Sequence, residues 1–580
     1  MKSDITRKGL FRHGSTMAAF VITAAMAALF TMATALSVTD FLQLIFPSGG
    51  DTPALSTAGA NPVESLLSGV YRWLVAQGPM RALALYAVLL FVLYGMKNVC
   101  SYLAAVSFAA TKTSLLCDVR NQLHGAVLRQ PFAGWSQQQQ GQWLSRMSND
   151  MAEYEANVLD SIQLLVQAVL TLVIYIFMLF YLDWRMTLLV VAVMAVGTAL
   201  LSVSRRLKRQ SKQLQALNGE LMTTTQETMD SLKEIKAATA IDYVNERQQE
   251  QNRIFTRRRI ALYRRINAAS PISDFVGNTI VVVILILGAY RVLGDSASLT
   301  PALFVSYIMI YVLLLTPIKD FSNAIAQLKK GRGVEERLAE SLEVLDGVPS
   351  NQDSYDAPSA QAIQSLQLHD VSFSYGSEPV FSHLSLDIPI HRHTAIIGES
   401  GSGKTTLGRL LVGLLDADSG EVLVNGTPCS GAQRAGSIAY IPQEPMLFND
   451  TIAENIRFGR RHVTDEQIAE AVRIAQVEPI LSQLPDGLQT VIGDGGSRLS
   501  GGERQRINIA RALVGNPSVI VMDEATAALD AATEQHFSDS LRETMGDRTL
   551  VVIAHRASTI ARCDAVYSME EKRFIRKAAV

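Results

Sequence analysis

The segment Gly398-Glu399-Ser400-Gly401-Ser402-Gly403-Lys404-Thr405 places three glycines, a lysine and a hydroxyl in eight residues. Glycines let successive backbone N–H groups close around an anion. A lysine here reaches terminal phosphates, and the following hydroxyl can ligate Mg²⁺. A strand-like stretch, His393–Ile397, runs into the loop, and a Leu-rich stretch, Thr406–Leu415, follows it. The pattern G-x-x-x-x-G-K-T therefore stands in the strand–loop–helix setting that gives it meaning. The helix start adds the positive end of its dipole. Gly398, Ser400, Gly401, Ser402, Gly403, Lys404, Thr405 and Thr406 are the candidate ATP-phosphate residues, with Thr405 also a Mg²⁺ ligand.

Two further segments carry chemistry. Val519-Ile520-Val521-Met522 is an apolar run that ends in Asp523-Glu524. Its composition predicts a buried parallel strand. Such a strand would set Asp523 beside the phosphates to hold Mg²⁺, and Glu524 where a carboxylate can deprotonate the attacking water. Leu499-Ser500-Gly501-Gly502-Glu503 opens a second predicted helix. Ser500, Gly501 and Gly502 form another anion cradle at a helix N-terminus. One ATP needs one such cradle, so the second is expected to serve the ATP of a neighbouring molecule in a head-to-tail dimer.

The elements that must position these residues fill a soluble part from about residue 365 onward. Ahead of it, long uncharged runs extend to about residue 320. The mean hydropathy of +0.18 averages these two halves. Six spans are expected: Met17–Leu36, Ala82–Ala105, Ser161–Leu182, Met186–Ser204, Phe275–Ala289 and Pro301–Ile318. The first is too long for the apolar core of a cleavable signal and reads as a retained span. Backbone polar groups in lipid must be satisfied within the segment, which makes these runs helices.

Basic residues gather in the connections before Ser161 and before Phe275, the second holding Arg257, Arg258, Arg259, Arg264 and Arg265. This asymmetry puts the N-terminus, both connections and the soluble part in the cytoplasm. Both connections are polar, nearly free of Pro and Gly, and expected to continue as helices. Lys97 either snorkels to the inner interface or lines a substrate cavity. Gln163, Gln167 and Asn278 could line a polar path or bond neighbouring helices. A net charge of -2 gives no reason to expect nucleic acid, and Cys100, Cys117, Cys429 and Cys563 lack metal or redox spacing.

Together these residues resemble the ATP-binding cassette transporters of the exporter-type fold, over nearly the whole chain. Leu499–Glu503 matches that family's signature motif. The resemblance implies a multi-domain membrane protein. Residues 1–346 would form an all-α transmembrane domain of six helices with long cytoplasmic extensions. Residues 347–364 would be a linker, and residues 365–580 an α/β P-loop cassette. It implies that Tyr375 stacks on adenine and that Gln443 senses Mg²⁺ as a ligand and catalytic partner. It further implies that Asp530 couples the two ATP sites and that His555 contacts the γ-phosphate.

Gly141, Ser145, Arg146, Asn149 and Asp150 fit the family's pattern in the first cytoplasmic loop, and Glu234-Ile235-Lys236-Ala237 the second. Glu503, Ala527 and Asp494 depart from the commoner glutamine, serine and glutamate. The implied partner is a second half-transporter, identical or related, in a membrane expected to be a bacterial inner membrane. Export or flipping of a lipid, drug or peptide is the leading expectation. An importer of a metal–siderophore complex and an ATP-gated channel or regulator share every motif. The substrate itself is not legible.

Overall fold

The computed structural model describes all residues except 1–4, 46–78, 133–136, 189, 192–216, 218, 294–300, 348–361, 377, 400, 461, 525–534, 536–538, 540–547, 571–572 and 578–580. It divides into two compact units. One comprises residues 1–123 and 145–341, the other residues 124–144 and 342–580.

From the N-terminus to residue 347 the helices are α1 (Ile5–Arg12), α2 (Gly14–Ile45), α3 (Pro79–Leu128), α4 (Gln137–Ser145), α5 (Asp160–Leu182), α6 (Leu232–Ala237), α7 (Ile241–Leu293) and α8 (Pro301–Gly347), with α4 in the stretch that groups with the second unit. Between α4 and α5 the chain stays helical but widens twice into π-turns, at Arg146–Asp150 and Glu155–Leu159. Among the described residues, four helical runs are long and apolar enough to cross a membrane: Gly14–Ser37, Met80–Leu128, Gln139–Leu182 and Phe304–Glu343. They contain the first, second and third expected spans and all of the sixth but its first three residues. The fifth is present as a shorter apolar stretch, Gly277–Arg291, within α7. The fourth lies mostly outside the described residues, as do residues 46–78 and most of the expected linker, 348–361.

The helices outrun the apolar runs for a local reason. No glycine or proline separates Ser101 from Asn121, so nothing stops α3 where its sequence turns polar. It ends at Leu128, shortly before Pro131. Apolar packing holds the membrane part together through Tyr175, Leu179, Ile280, Ile284, Tyr307, Tyr311 and Leu314. The polar extensions are tied by charge. Arg337 donates to both oxygens of buried Asp150 at 2.7 and 3.1 Å. Thr6 donates to Glu335 at 2.6 Å and shares a 2.9 Å hydrogen bond with the Tyr154 hydroxyl.

The second unit holds two sheets. The antiparallel one has strand order β2-β1-β4-β5, with β1 Leu366–Tyr375, β2 Glu378–Ile388, β4 Ser419–Val424 and β5 Thr427–Pro428. The other has order β10-β9-β3-β8-β7-β6, with β3 His393–Gly398, β6 Ile438–Ile441, β7 Val519–Asp523, β8 Thr549–Ile553, β9 Ala565–Glu570 and β10 Arg573–Lys577. Its pairs are parallel except β9 with β10. Every residue of β7 and β8 is buried, as a two-sided parallel strand requires.

Helix α9 (Lys404–Leu411) packs Leu407, Leu410 and Leu411 into the core beneath β3 and β8. Each such burial contributes roughly 1.5–3 kcal/mol. α9 is shorter than the expected Thr406–Leu415 and starts two residues earlier. Gly413 stops it in the left-handed conformation (φ +81°) that glycine tolerates. Helices α10 (Ile452–Arg457), α11 (Asp465–Ile474) and α12 (Gly501–Leu513) build a second core around Ile456, Ile468, Ile507 and Leu513.

Candidate functional site

The carboxyl ends of three adjacent strands bring the chemistry together. In register, Ile396 of β3 and Asp523 of β7 both stand opposite Ile553 of β8. The chain therefore leaves β3 at Gly398, β7 at Asp523 and β8 at Ile553 side by side.

After β3 the loop turns through Gly401 to Gly403 into α9. Gly403 caps the helix at φ +101°, and a Cβ there would stand 2.7 Å from Val380 Cγ1. Conformation and space both demand glycine. Lys404 is buried, and its ammonium donates to the carbonyls of Gly398 at 2.9 Å and Glu399 at 2.6 Å. Burial holds its pKa below the usual lysine range. The Ser402 hydroxyl is buried and has no hydrogen-bond partner among the described residues. A buried orphan donor beside a folded-back lysine is what an anion-sized cradle leaves when its anion is not counted. Ser400 lies outside the described residues.

Asp523, buried at the end of β7, accepts from Thr405 Oγ1 at 3.2 Å and from the Tyr440 hydroxyl at 3.3 Å. Burial pushes its carboxyl above the usual range. These oxygen donors suit a hard cation such as Mg²⁺. Among the described residues no group of three or more His, Cys, Asp or Glu could hold a metal. A cation at Thr405 and Asp523 would thus lean on phosphate oxygens for its remaining ligands, the usual habit of Mg²⁺.

Glu524 adopts φ +48°, a left-handed conformation costly for a side chain. Its N–H donates to Ile553 O at 3.1 Å. The turn delivers its carboxylate to Gln443 Nε2, 2.9 Å from Oε2, and to His555 Nε2, 2.9 Å from Oε1. Gln443, Glu524 and His555 follow β6, β7 and β8 respectively, and they meet in one cluster.

Tyr375 ends β1 with 40% of its surface exposed and packs edge-on against Phe373, ring centroids 5.0 Å apart. Ser500 and Glu503 form a capping box on α12: Ser500 Oγ accepts from Glu503 N, and Glu503 accepts from Ser500 N at 2.7 Å. That bond from the Ser500 backbone holds Glu503 below the usual carboxylate range. Glutamate at this position thus has a structural role that the commoner glutamine would also fill. Asp530 lies outside the described residues.

Two residues were missed in the sequence. Tyr440 stands in the segment quoted for Gln443, where a half-buried hydroxyl needs a partner. Arg409 is a second, partly buried charge on α9 beyond Lys404, and its guanidinium carbon lies 5.4 Å from the centroid of the Phe132 ring.

Residues 381–527 match the family described as ABC transporter, and residues 17–318 the ABC transporter transmembrane region. The ATP-dependent lipid A-core flippase of Thiobacillus denitrificans is 30% identical over 503 residues, covering 85% of each chain. That of Syntrophus aciditrophicus is 29% identical over 493 residues, covering 84% of this chain and 81% of its own. A bacterial Atm1-family ABC exporter, solved with ATP bound, shares the fold. It has a TM-score of 0.74 at 21% identity, over 98% of this chain and 95% of that one.

Proposed function

The chain belongs to the ABC transporter family, and from that premise we propose that it flips a lipid of the lipid A class out of the cytoplasmic leaflet of a bacterial inner membrane. It is a half-transporter of exporter architecture, an ATPase that drives transport, and it works as a dimer. The proposed division is a membrane domain over residues 1–346, a linker over 347–364 and a cassette over 365–580. The substrate reading is supported by relatives that carry the flippase name over more than four-fifths of both chains. The basic connections support a cytoplasmic N-terminus and cassette.

The observation that carries the mechanism is the meeting of Gln443, Glu524 and His555 beside Thr405 and Asp523. In this reading Gly398–Thr406 cradles the phosphates, Tyr375 stacks on adenine, and Lys404 leaves its carbonyls for the terminal phosphates. Thr405, Asp523 and Gln443 would hold Mg²⁺, which supplies charge neutralisation at the phosphate oxygens. Glu524 takes the proton of the attacking water, while His555 turns to the γ-phosphate. Ser500–Gly502 of the second half-transporter, a copy or a relative, closes the site, and Asp530 couples the two sites.

Gly501 supports that composite arrangement. It has no positive φ, and none of the described residues lies within 4 Å of a Cβ built on it. A glycine inside a helix start costs about 1 kcal/mol relative to alanine. A glycine that no described neighbour requires is consistent with close approach by another molecule.

The test is vesicles carrying the protein with its cassettes outward and a labelled lipid A in the outer leaflet. ATP should move the label inward. Glu524→Gln should keep ATP binding, lose hydrolysis by roughly two orders of magnitude and trap a closed dimer. Near-normal turnover would place the base elsewhere, and ATP-driven movement only of label loaded in the inner leaflet, outward, would make the protein an importer.

A further inference from the structure

The chain leaves β6 at Ile441 and enters no further helix until α10 begins at Ile452. Gln443 stands in this connection and is exposed, yet its amide meets Glu524 Oε2 at 2.9 Å. An exposed, rotamer-rich side chain loses entropy when it is held to one contact. The backbone beneath it must therefore be fixed by other groups. Gln505 of α12 donates from Nε2 to the Pro442 carbonyl at 3.3 Å. Arg511, further along the same helix, donates to the Met446 carbonyl at 2.8 Å. Asn455 of α10 accepts from Phe448 N at 2.9 Å and donates to Phe448 O at 3.0 Å.

These anchors differ in kind. Every polar atom of the Asn455 and Arg511 side chains has a partner, as a structural role requires. Gln505 is 0% exposed, but its Oε1 has no hydrogen-bond partner among the described residues. Chemistry fixes which way its amide points. The Pro442 carbonyl only accepts, so Nε2 must face it. A buried acceptor with no donor destabilises a fold. Around it α12 packs Ile507 and Leu513 into an apolar core. Methionine, similar in length and volume, would fill that place with no unmade bond. Pro442 is only half-buried, so its carbonyl can turn to water when the amide is gone. For stability alone, glutamine is a poor choice at 505. What it adds is a fixed carbonyl immediately before Gln443.

We propose that Gln505 is a positioning residue for hydrolysis: by holding the Pro442 carbonyl it sets Gln443 against Glu524, and it does so at a cost in stability. The proposal rests on the reading of Gln443 and Glu524 as residues of the ATP site.

The experiment uses the full-length dimer in detergent. Wild type is compared with Gln505→Met, Gln443→Ala, the Gln443→Ala/Gln505→Met double variant and Asn508→Ala. Asn508 is the control, a buried neighbour on α12 whose Nδ2 also lacks a partner among the described residues. Scanning calorimetry without nucleotide should give Gln505→Met a Tm equal to wild type or higher by up to about 3 °C. Its kcat should fall about three- to tenfold, the worth of one hydrogen bond, with the KM for ATP within about twofold. Asn508→Ala should keep kcat within about twofold. Gln443→Ala should lower kcat at least as far as Gln505→Met, and the double variant should fall no further than Gln443→Ala alone.

A Tm for Gln505→Met more than about 2 °C below wild type would make the residue a structural support and overturn the proposal. So would an unchanged kcat in that variant, an equal loss in Asn508→Ala, or losses that multiply in the double variant. An unchanged kcat in Gln443→Ala would sink the reading of Gln443 itself, and the role of Gln505 with it. A loss in Gln443→Ala with none in Gln505→Met would sink the role of Gln505 alone.

Discussion

Both oxygens of Glu524 are already engaged, one by His555 and the other by Gln443. Each oxygen keeps a further acceptor site for a water proton, and a γ-phosphate that draws His555 away would free another. Asp523 next door allows a prediction that needs no nucleotide. Its carboxyl is buried, and its pKa is raised. The ionised form is therefore the costly one in the folded state. The neutral form carries no such cost, so stability is fullest at low pH and declines as pH rises through the folded pKa. Asp523→Asn removes the charge and keeps an acceptor for Thr405 or Tyr440. It should raise the nucleotide-free Tm at pH 8 by about 2–4 °C, the equivalent of ~1 kcal/mol. The gain should shrink toward zero near pH 4. A lower Tm at pH 8, read by scanning calorimetry, would show that the charge stabilises the fold. The spacing of residues around the phosphate loop, Asp523–Glu524 and Ser500–Gly502 made them legible in the sequence, because each pattern is local. Arg409 and Tyr440 were not legible, because their partners lie far off in the chain and only the fold brings them close.

At the scale of elements, the continuation of α3 beyond its apolar run was legible for a simple reason: no glycine or proline separates Ser101 from Asn121. The two π-turns before α5 were not, since one extra residue per turn leaves no compositional mark. Nor did composition reveal the Asp150–Arg337 pair, which joins two segments distant in sequence. The short helix α6 contains Glu234–Ala237, the segment that fits the family's pattern in the second loop. It has no buried residue, and Met229, Leu232, Ile241 and Tyr243 around it are exposed. Apolar side chains gathered at a polar helix tip suit an interface better than solvent. Leu232→Asp should therefore leave detergent-purified ATPase within about twofold, since it lies outside the catalytic cluster, and lower lipid flux per ATP about tenfold. Flux is read in the same vesicles as hydrolysis. An unchanged ratio of the two would mean that α6 is merely solvated and carries no signal.

At the scale of the whole molecule, one chain holds two helix starts proposed to cradle phosphate, and no described residue near Gly501 calls for its glycine. Whether the cradles act within one chain or between two can be decided by ranking mixed dimers. Consider Lys404→Ala, which disables the phosphate loop, and Gly501→Glu, which puts a charge where phosphate would approach. Place one substitution on each chain of a doubly tagged dimer. If sites form between chains, one site combines both lesions and the other combines neither, so one intact site remains. Now place both substitutions on one chain and none on its mate. Between chains, each site then carries one lesion, and none is intact. If each chain built its own site, the order would reverse: the first dimer would have no intact site and the second would have one. The lesions are the same in number and kind, so differences in expression or folding largely cancel. The expected result is ATPase in the split dimer exceeding that of the paired one by about tenfold or more. The opposite ranking would confine ATP chemistry to single chains and remove the physical link by which nucleotide draws two cassettes together.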